Sequence, residues 1–220
     1  MRAVTFVAVV VAVVVIIAAW SYVRCGARES TAAPPAESAA GTPQRGKPPA
    51  FPPAVETGRE ATGLERREHF YVELRHQALH RSRVELGLPK PSEATRPWGV
   101  LMETTYEEAS VTVFAVSDGN ASIYLSTGGG FIGGVGHEAV RRAAVNMVRV
   151  AGTLAALLSP AETYPPPDRG HTIFYLRTEA GVLTGGATEA ELGQRRHALS
   201  QLFFAGQDVI TQFRLVSEKK

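Results

Sequence analysis

The chain of 220 residues has a single cysteine, Cys25, so no intramolecular disulfide can form. Cysteine usage therefore says nothing about the redox compartment. Excess charge of one sign is also lacking, with Lys and Arg 23 against Asp and Glu 21, a net of +2. That balance offers no global attraction for nucleic acid or acidic lipid, and no nucleic-acid partner is expected. Catalytic signatures are missing too. There is no metalloprotease His-Glu-x-x-His, no Walker Gly-Lys-Ser/Thr and no Gly-x-Ser-x-Gly elbow, and nothing pairs with Cys25 as a base. No internal repeat is visible. The chain reads as a binder rather than an enzyme, and no cofactor is expected.

Between Arg2 and Arg24 no charged residue occurs, and positions 3–20 are almost wholly apolar and rich in valine. A bilayer core needs about 20 apolar residues of helix, which residues 3–23 supply. Trp20 and Tyr22 stand where an interfacial aromatic belt would be. A cleavable signal peptide has a shorter apolar region, about 7–15 residues. Arg24 occupies the small-residue position that a lipoprotein cleavage box would need. Residues 1–24 are thus expected to be an uncleaved, single-pass anchor in the cell membrane. Arg2 on one side is matched by Arg24 and Arg28 on the other, which leaves the side carrying the domain unassigned. Residues 25–58 are rich in Ala, Pro, Glu, Ser and Thr, and too poor in apolar surface to offset the entropy of ordering. They read as a disordered Pro/Ala-rich linker. Residues 59–220 read as one α+β globular domain.

Within that domain, 64–86 has helical spacing at Tyr71, Leu74 and Ala78, widened by Phe70 and Leu79. Gly87 and Pro89 would end it. His69, Glu73, His76 and His80 share another face. His76 and His80 have the i, i+4 spacing by which two imidazoles reach one metal. Arg66 and Arg83 border that face and oppose a cation, so it reads as a solvated polar face and no metal is expected. Three strands follow, at 98–105, 111–117 and 121–126, with Asp118-Gly119-Asn120 as a hairpin turn. Next comes a long apolar helix at 137–158. A strand at 171–178 and a return at 182–184 form a second hairpin, followed by a polar segment at 189–196. The last helix begins at Leu199, with Leu202, Phe203, Gly206, Val209, Ile210 and Phe213 in one stripe. The expected architecture is an antiparallel sheet of about five strands, meander plus hairpin, packed with helices.

Residues 126–136, at the junction between meander and central helix, contain six glycines in eleven positions. Gly128-x-Gly130-x-x-Gly133 and Gly134-x-Gly136-x-x-Ala139 both match the dinucleotide fingerprint. Gly128, Gly130, Gly133, Gly136 and His137 are accordingly the candidate ligand-binding residues. They would set backbone N–H groups at a helix N-terminus, where phosphate is stabilised. The context argues the other way. The fingerprint belongs to a parallel βαβ unit, whereas an antiparallel meander precedes this loop, and Glu138 would repel a phosphate. Glycines serving backbone geometry are the simpler reading. Glu103, Glu107, Glu108 and His137 are the remaining acid–base group to be placed in space.

Tyr71-Val72-Glu73-Leu74-Arg75, Trp98-Gly99-Val100-Leu101-Met102-Glu103, Gly128-Gly129-Gly130 with Gly136-His137-Glu138-Ala139-Val140, and Leu202-Phe203 with Ala205-Gly206-Gln207 resemble an uncharacterised bacterial domain family. The resemblance runs from residue 71 to 215 and implies a domain without naming an activity. The order of elements is also similar to roadblock and profilin-like folds, although the roadblock case has two strands before its central helix. That likeness implies a scaffold or small-ligand module. The expected function is a membrane-anchored binding or assembly domain, with a protein partner or a second copy as its counterpart. The alternative is a phosphate- or nucleotide-binding domain using loop 128–136.

Overall fold

The computed structural model describes residues 63–218, with side chains from residue 69 onward. The expected anchor and linker lie outside the described residues. Helix α1 (Gly63–His80) precedes four strands: β1 (Gly99–Thr105), β2 (Ser110–Val116), β3 (Ala121–Leu125) and β4 (Gly130–Ile132). A 3-10 turn (Gly134–Gly136) leads into α2 (Glu138–Leu154), which a second 3-10 turn (Ala155–Leu157) terminates. Then come β5 (Ser159–Ala161), β6 (His171–Thr178), β7 (Gly181–Thr188), the short α3 (Glu189–Gly193) and α4 (Ser200–Glu218). Among the described residues no helix is long and apolar enough to cross a membrane.

The α+β class, the first meander and the second hairpin stand as expected, but the sheet has seven strands rather than five, in the order β4-β3-β2-β1-β6-β7-β5. Every strand pairing is antiparallel. The two additional strands are three residues each, too short to show a period of two. One is hidden inside the glycine loop, where Gly130 pairs with Tyr124 and Phe131 with Ile123. The other is Ser159-Pro160-Ala161, which pairs with β7 at the outer edge. Proline is tolerated there because an edge strand needs no donor on its free side.

Alternation along the strands sorts side chains onto two covered faces. Val100 and Met102 of β1, Val113 and Ala115 of β2, Ile123 of β3 and Phe174 and Leu176 of β6 share one core with α2 and α4. Val140, Ala144, Met147 and Ala151 of α2 and Leu202, Phe203 and Val209 of α4 complete it. On the other face Leu101, Phe114, Tyr124 and Tyr175 meet Ala78 and Leu79 of α1. The molecule is therefore a three-layer arrangement, with α1 on one side of the sheet and the α2–α4 pair on the other. Each fully buried Leu, Val or Phe contributes about 1.5–3 kcal/mol, so the larger α2–α4 core dominates the hydrophobic stabilisation. At Gly206 a Cβ would come within 2.5 Å of Met102 Sδ, so glycine lets α4 lie close against the sheet.

Helix α1 stops at His80, earlier than its apolar pattern suggests. The Ser82 backbone N–H and hydroxyl both donate to the Glu85 carboxylate, at 2.7 and 2.6 Å, a local arrangement that competes with helix continuation. Arg177 on β6 donates to Ala78 O at 2.8 Å and Arg81 O at 3.0 Å, satisfying carbonyls at the helix end. Its guanidinium also lies 4.8 Å from the Trp98 ring centroid. At the other end of the chain, the polar stretch after β7 forms α3. Thr188 and Glu191 make a capping box there, each side chain bonded to the other's backbone.

The layer of α1 is pinned by charge as well. Arg75 grips Glu103 with two parallel bonds, Nε to Oε1 at 2.7 Å and Nη2 to Oε2 at 2.6 Å. Glu103 is fully buried. Removing one partner of such a pair strands a charge in the interior. Arg75→Ala should lower the urea-unfolding stability of the full chain by about 3 kcal/mol or more. The double variant Arg75→Met with Glu103→Met should recover most of that loss. A single variant as stable as the parent would show that α1 is held by other contacts.

Candidate functional site

Loop 126–136 does two jobs in succession. Its first part turns β3 back into β4. Gly128 N–H donates to Leu125 O at 2.8 Å and Leu125 N–H to Gly129 O at 3.2 Å. Gly128, Gly129 and Gly130 have φ of 92°, 89° and 139°. At Gly130 a Cβ would also collide with the Ile123 carbonyl. The second part carries the chain from β4 into α2. Gly133, with φ 82°, leaves the strand, and Gly134 is buried where a Cβ would stand 2.5 Å from Val140 Cγ1 and 2.7 Å from Phe213 Cζ. Gly136 has open space around it. His137 is the N-cap residue of α2, without a side-chain cap bond, and its N–H donates to Gly134 O at 3.0 Å. Of the candidate ligand residues, Gly128 and Gly130 thus lie at the hairpin, while Gly133, Gly136 and His137 lie at the entry to α2. Glu138 in the first turn of α2 is engaged by Arg141.

The acid–base candidates are not brought together. Glu103 faces α1 across the sheet from α2, whose first turn carries His137. Glu107 and Glu108 occupy the exposed connection between β1 and β2. On α1, His69, Glu73, His76 and His80 are all exposed. The His76 and His80 rings stack with centroids 4.0 Å apart, and His80 meets Tyr164 edge-on at 5.4 Å. Among the described residues no three of His, Cys, Asp and Glu gather as metal ligands.

Around Glu103 sits a polar cluster that sequence patterns did not assign. Glu103 Oε1 also accepts from Thr112 at 2.9 Å and from Tyr71 at 3.3 Å. Arg75 Nη2 reaches Tyr164 O at 2.9 Å, and the Tyr175 hydroxyl donates to Pro165 O at 2.6 Å. Strand β1, α1 and the loop between β5 and β6 that carries Pro165, Pro166 and Pro167 are tied at one point. Burial, and then the neighbouring Glu103 charge, pushes the Tyr71 hydroxyl up to about 12 and that of Tyr175 likewise to about 12. The only signal in the sequence was a carboxylate directly after the apolar run Val100-Leu101-Met102 of a strand.

A different concavity lies on the outer side of α2. It is an open groove of about 810 Å³ between α2 and the 93–97 segment. Val145, Val148, Ala155, Ala156 and Leu183 give it an apolar floor, and Thr95 and Ser117 supply hydroxyls, while that of Thr153 donates to Val150 O at 2.7 Å. Arg96 and Arg149 stand on its walls with Glu93. Its volume is in the range of small-molecule sites, about 300–1,000 Å³. These residues are scattered over ninety positions of sequence, so no local motif could reveal them.

No family model, no curated protein and no solved structure matches the chain.

Two outcomes follow. Gly130→Ala and Gly134→Ala should each cost about 1 kcal/mol or more in ligand-free urea unfolding, from positive φ and collision at the first and crowding at the second. Gly136→Ala should be close to neutral, and equal stability in all three would refute the geometric role. Alkaline stability supplies the second outcome. In the unfolded chain Tyr71 and Tyr175 ionise near 10.0, and in the folded chain near 12. The folded state binds those protons more tightly, so their contribution is complete below pH 10 and is lost as pH rises toward 12. Tyr71→Phe should flatten the fall in melting temperature over that window, and an unchanged slope would remove Tyr71 from the account.

Proposed function

We propose that this chain is a membrane-anchored binding or assembly domain, held by residues 3–23, and that the α2 groove is its ligand-receiving surface. One observation carries the reading: a concavity of small-ligand size, about 810 Å³, joins an apolar floor to guanidinium and hydroxyl donors. Apolar area would supply affinity there, and the sparse polar groups orientation. A protein segment or part of a second copy is an alternative occupant of the same groove.

A phosphate- or nucleotide-binding role for 128–136 is the second reading, and one observation favours it. Gly133 and Gly136 have open space where a Cβ would be, and they bracket the 3-10 turn that leads through His137 into α2. Backbone dipoles at a helix start favour anions.

Thermal unfolding of the full chain in zwitterionic lipid nanodiscs separates the two, because a ligand that binds only the native state raises the melting temperature. A fragment library and a nucleotide panel are the probes. Fragments should stabilise the parent and lose their effect in Gly152→Trp, which fills the groove from an exposed helical position. A nucleotide shift that survives Gly152→Trp and disappears in Gly136→Ala would transfer the assignment to the glycine loop. Fragment shifts identical in parent and Gly152→Trp would remove the groove from consideration.

A further inference from the structure

The groove is not an isolated dent. Val145 and Arg149 line it and also line a shallower depression of about 280 Å³ together with Arg141, Arg142 and Asn146. A single trough therefore follows the outer side of α2, and its arginines are not equivalent. Arg141 and Arg142 share the carboxylate of Glu138. Arg149 donates from Nη2 to Asn146 Oδ1 at 2.8 Å, and Arg96 from Nη1 to Ser92 Oγ at 3.4 Å. Among the described residues neither of these two forms a salt bridge, a state they share with Arg81, Arg169, Arg177, Arg195 and Arg196, whereas Arg141 and Arg142 of the same trough both do. A guanidinium carries five N–H donors in a planar fork, so one neutral bond leaves most of its capacity unused. Two arginines against one glutamate make the lining of the deeper groove net positive.

The floor adds an independent observation. Gly152 stands in the last turn of α2 and is exposed, at a helical position where glycine weakens a helix relative to alanine. Packing does not require it. A Cβ there would meet only Pro97 atoms, at 3.7 and 3.8 Å, which is ordinary contact. What the missing side chain does is leave the floor open between Val148 and Ala156.

We infer that the groove takes a small oxyanion-headed molecule with an apolar body, the head held by Arg96 and Arg149 and the body lying over Gly152. This rests on the reading of the groove as the ligand surface and names the chemistry that fits it. Phosphate and carboxylate heads share that chemistry, since both present oxygens to the fork of an arginine. The paired Arg141 and Arg142 at the far end keep the approach positive without holding the head.

The test uses the full chain in zwitterionic nanodiscs, titrated calorimetrically with hexyl phosphate, hexanoate, hexanol and inorganic phosphate, with empty nanodiscs subtracted. Hexyl phosphate or hexanoate should bind at least about tenfold more tightly than either half-ligand, hexanol or inorganic phosphate, and the tighter of the two identifies the head. Arg96→Gln and Arg149→Gln should each weaken it by about tenfold, and Arg149→Lys by less, because it keeps the charge and loses only the fork. Gly152→Leu should abolish the advantage of hexyl phosphate over inorganic phosphate. Hexanol binding as tightly as both anions, or anion binding indifferent to both arginine variants, would overturn the inference. If neutral fragments bind in a Gly152→Trp-sensitive way and the anions do not, the oxyanion chemistry falls and the groove reading stands. If the anions bind equally well to Gly152→Trp, the groove reading falls with it.

Discussion

A carboxylate in the middle of a sheet covered on both sides is the constraint around which this domain is arranged. Glu103 sits on the central strand between Leu101 and the sheet end, with no exposure to water. Transferring such a charge to the interior is tolerable only with close partners. Arg75 supplies them from α1, assisted by Thr112 and Tyr71. The position of α1 is thereby fixed by direction-dependent bonds, while the α2–α4 layer is fixed by apolar area. Arg177 repeats the device at the end of α1, where main-chain carbonyls and the Trp98 ring stand in for a carboxylate. The α1 layer thus adds directed polar bonds to its apolar contacts, whereas the α2–α4 layer rests on apolar packing.

That division has a bearing on where a ligand can be received. The polar interface beneath α1 is occupied by its own bonds, and Glu103 is sealed under them. The inner side of α2 is committed to the α4 contact and the sheet, through residues such as Ala144, Met147 and Ala151. A smaller concavity of about 230 Å³ lies between α1 and the sheet, and the larger one is on the outer side of α2, where Val145 is 43% exposed and arginines without carboxylate partners border an open floor. The rigidity of the helix is what would make such a surface useful, because groups on a packed helix hold their spacing better than groups on a loop.

Much of the architecture was legible because long elements advertise themselves. The apolar stripe of α4, the valine alternation of β2 and the Asp118-Gly119-Asn120 turn each specify structure through local chemistry. The failures are equally physical. Strands β4 and β5 are too short to show a period, and one consists of glycine, phenylalanine and isoleucine within a loop of positive-φ glycines. Helix α1 loses its last expected turn to side-chain bonds at Ser82 and to an arginine nearly a hundred residues away. The candidate site was less legible still. The glycines could be found by spacing but not sorted into hairpin and helix entry. The groove residues, from Glu93 to Leu183, become neighbours only after the sheet has formed.

The two outer strands have a consequence for the domain in crowded surroundings. A sheet whose border strand is long and flat offers a template on which another copy can add, and such growth leads to fibres. Here one border is a three-residue strand set between positive-φ glycines, and the other contains Pro160, which has no N–H to give. Neither border presents an uninterrupted row of donors and acceptors. Crowding therefore gives the backbone at these two borders little opportunity to polymerise.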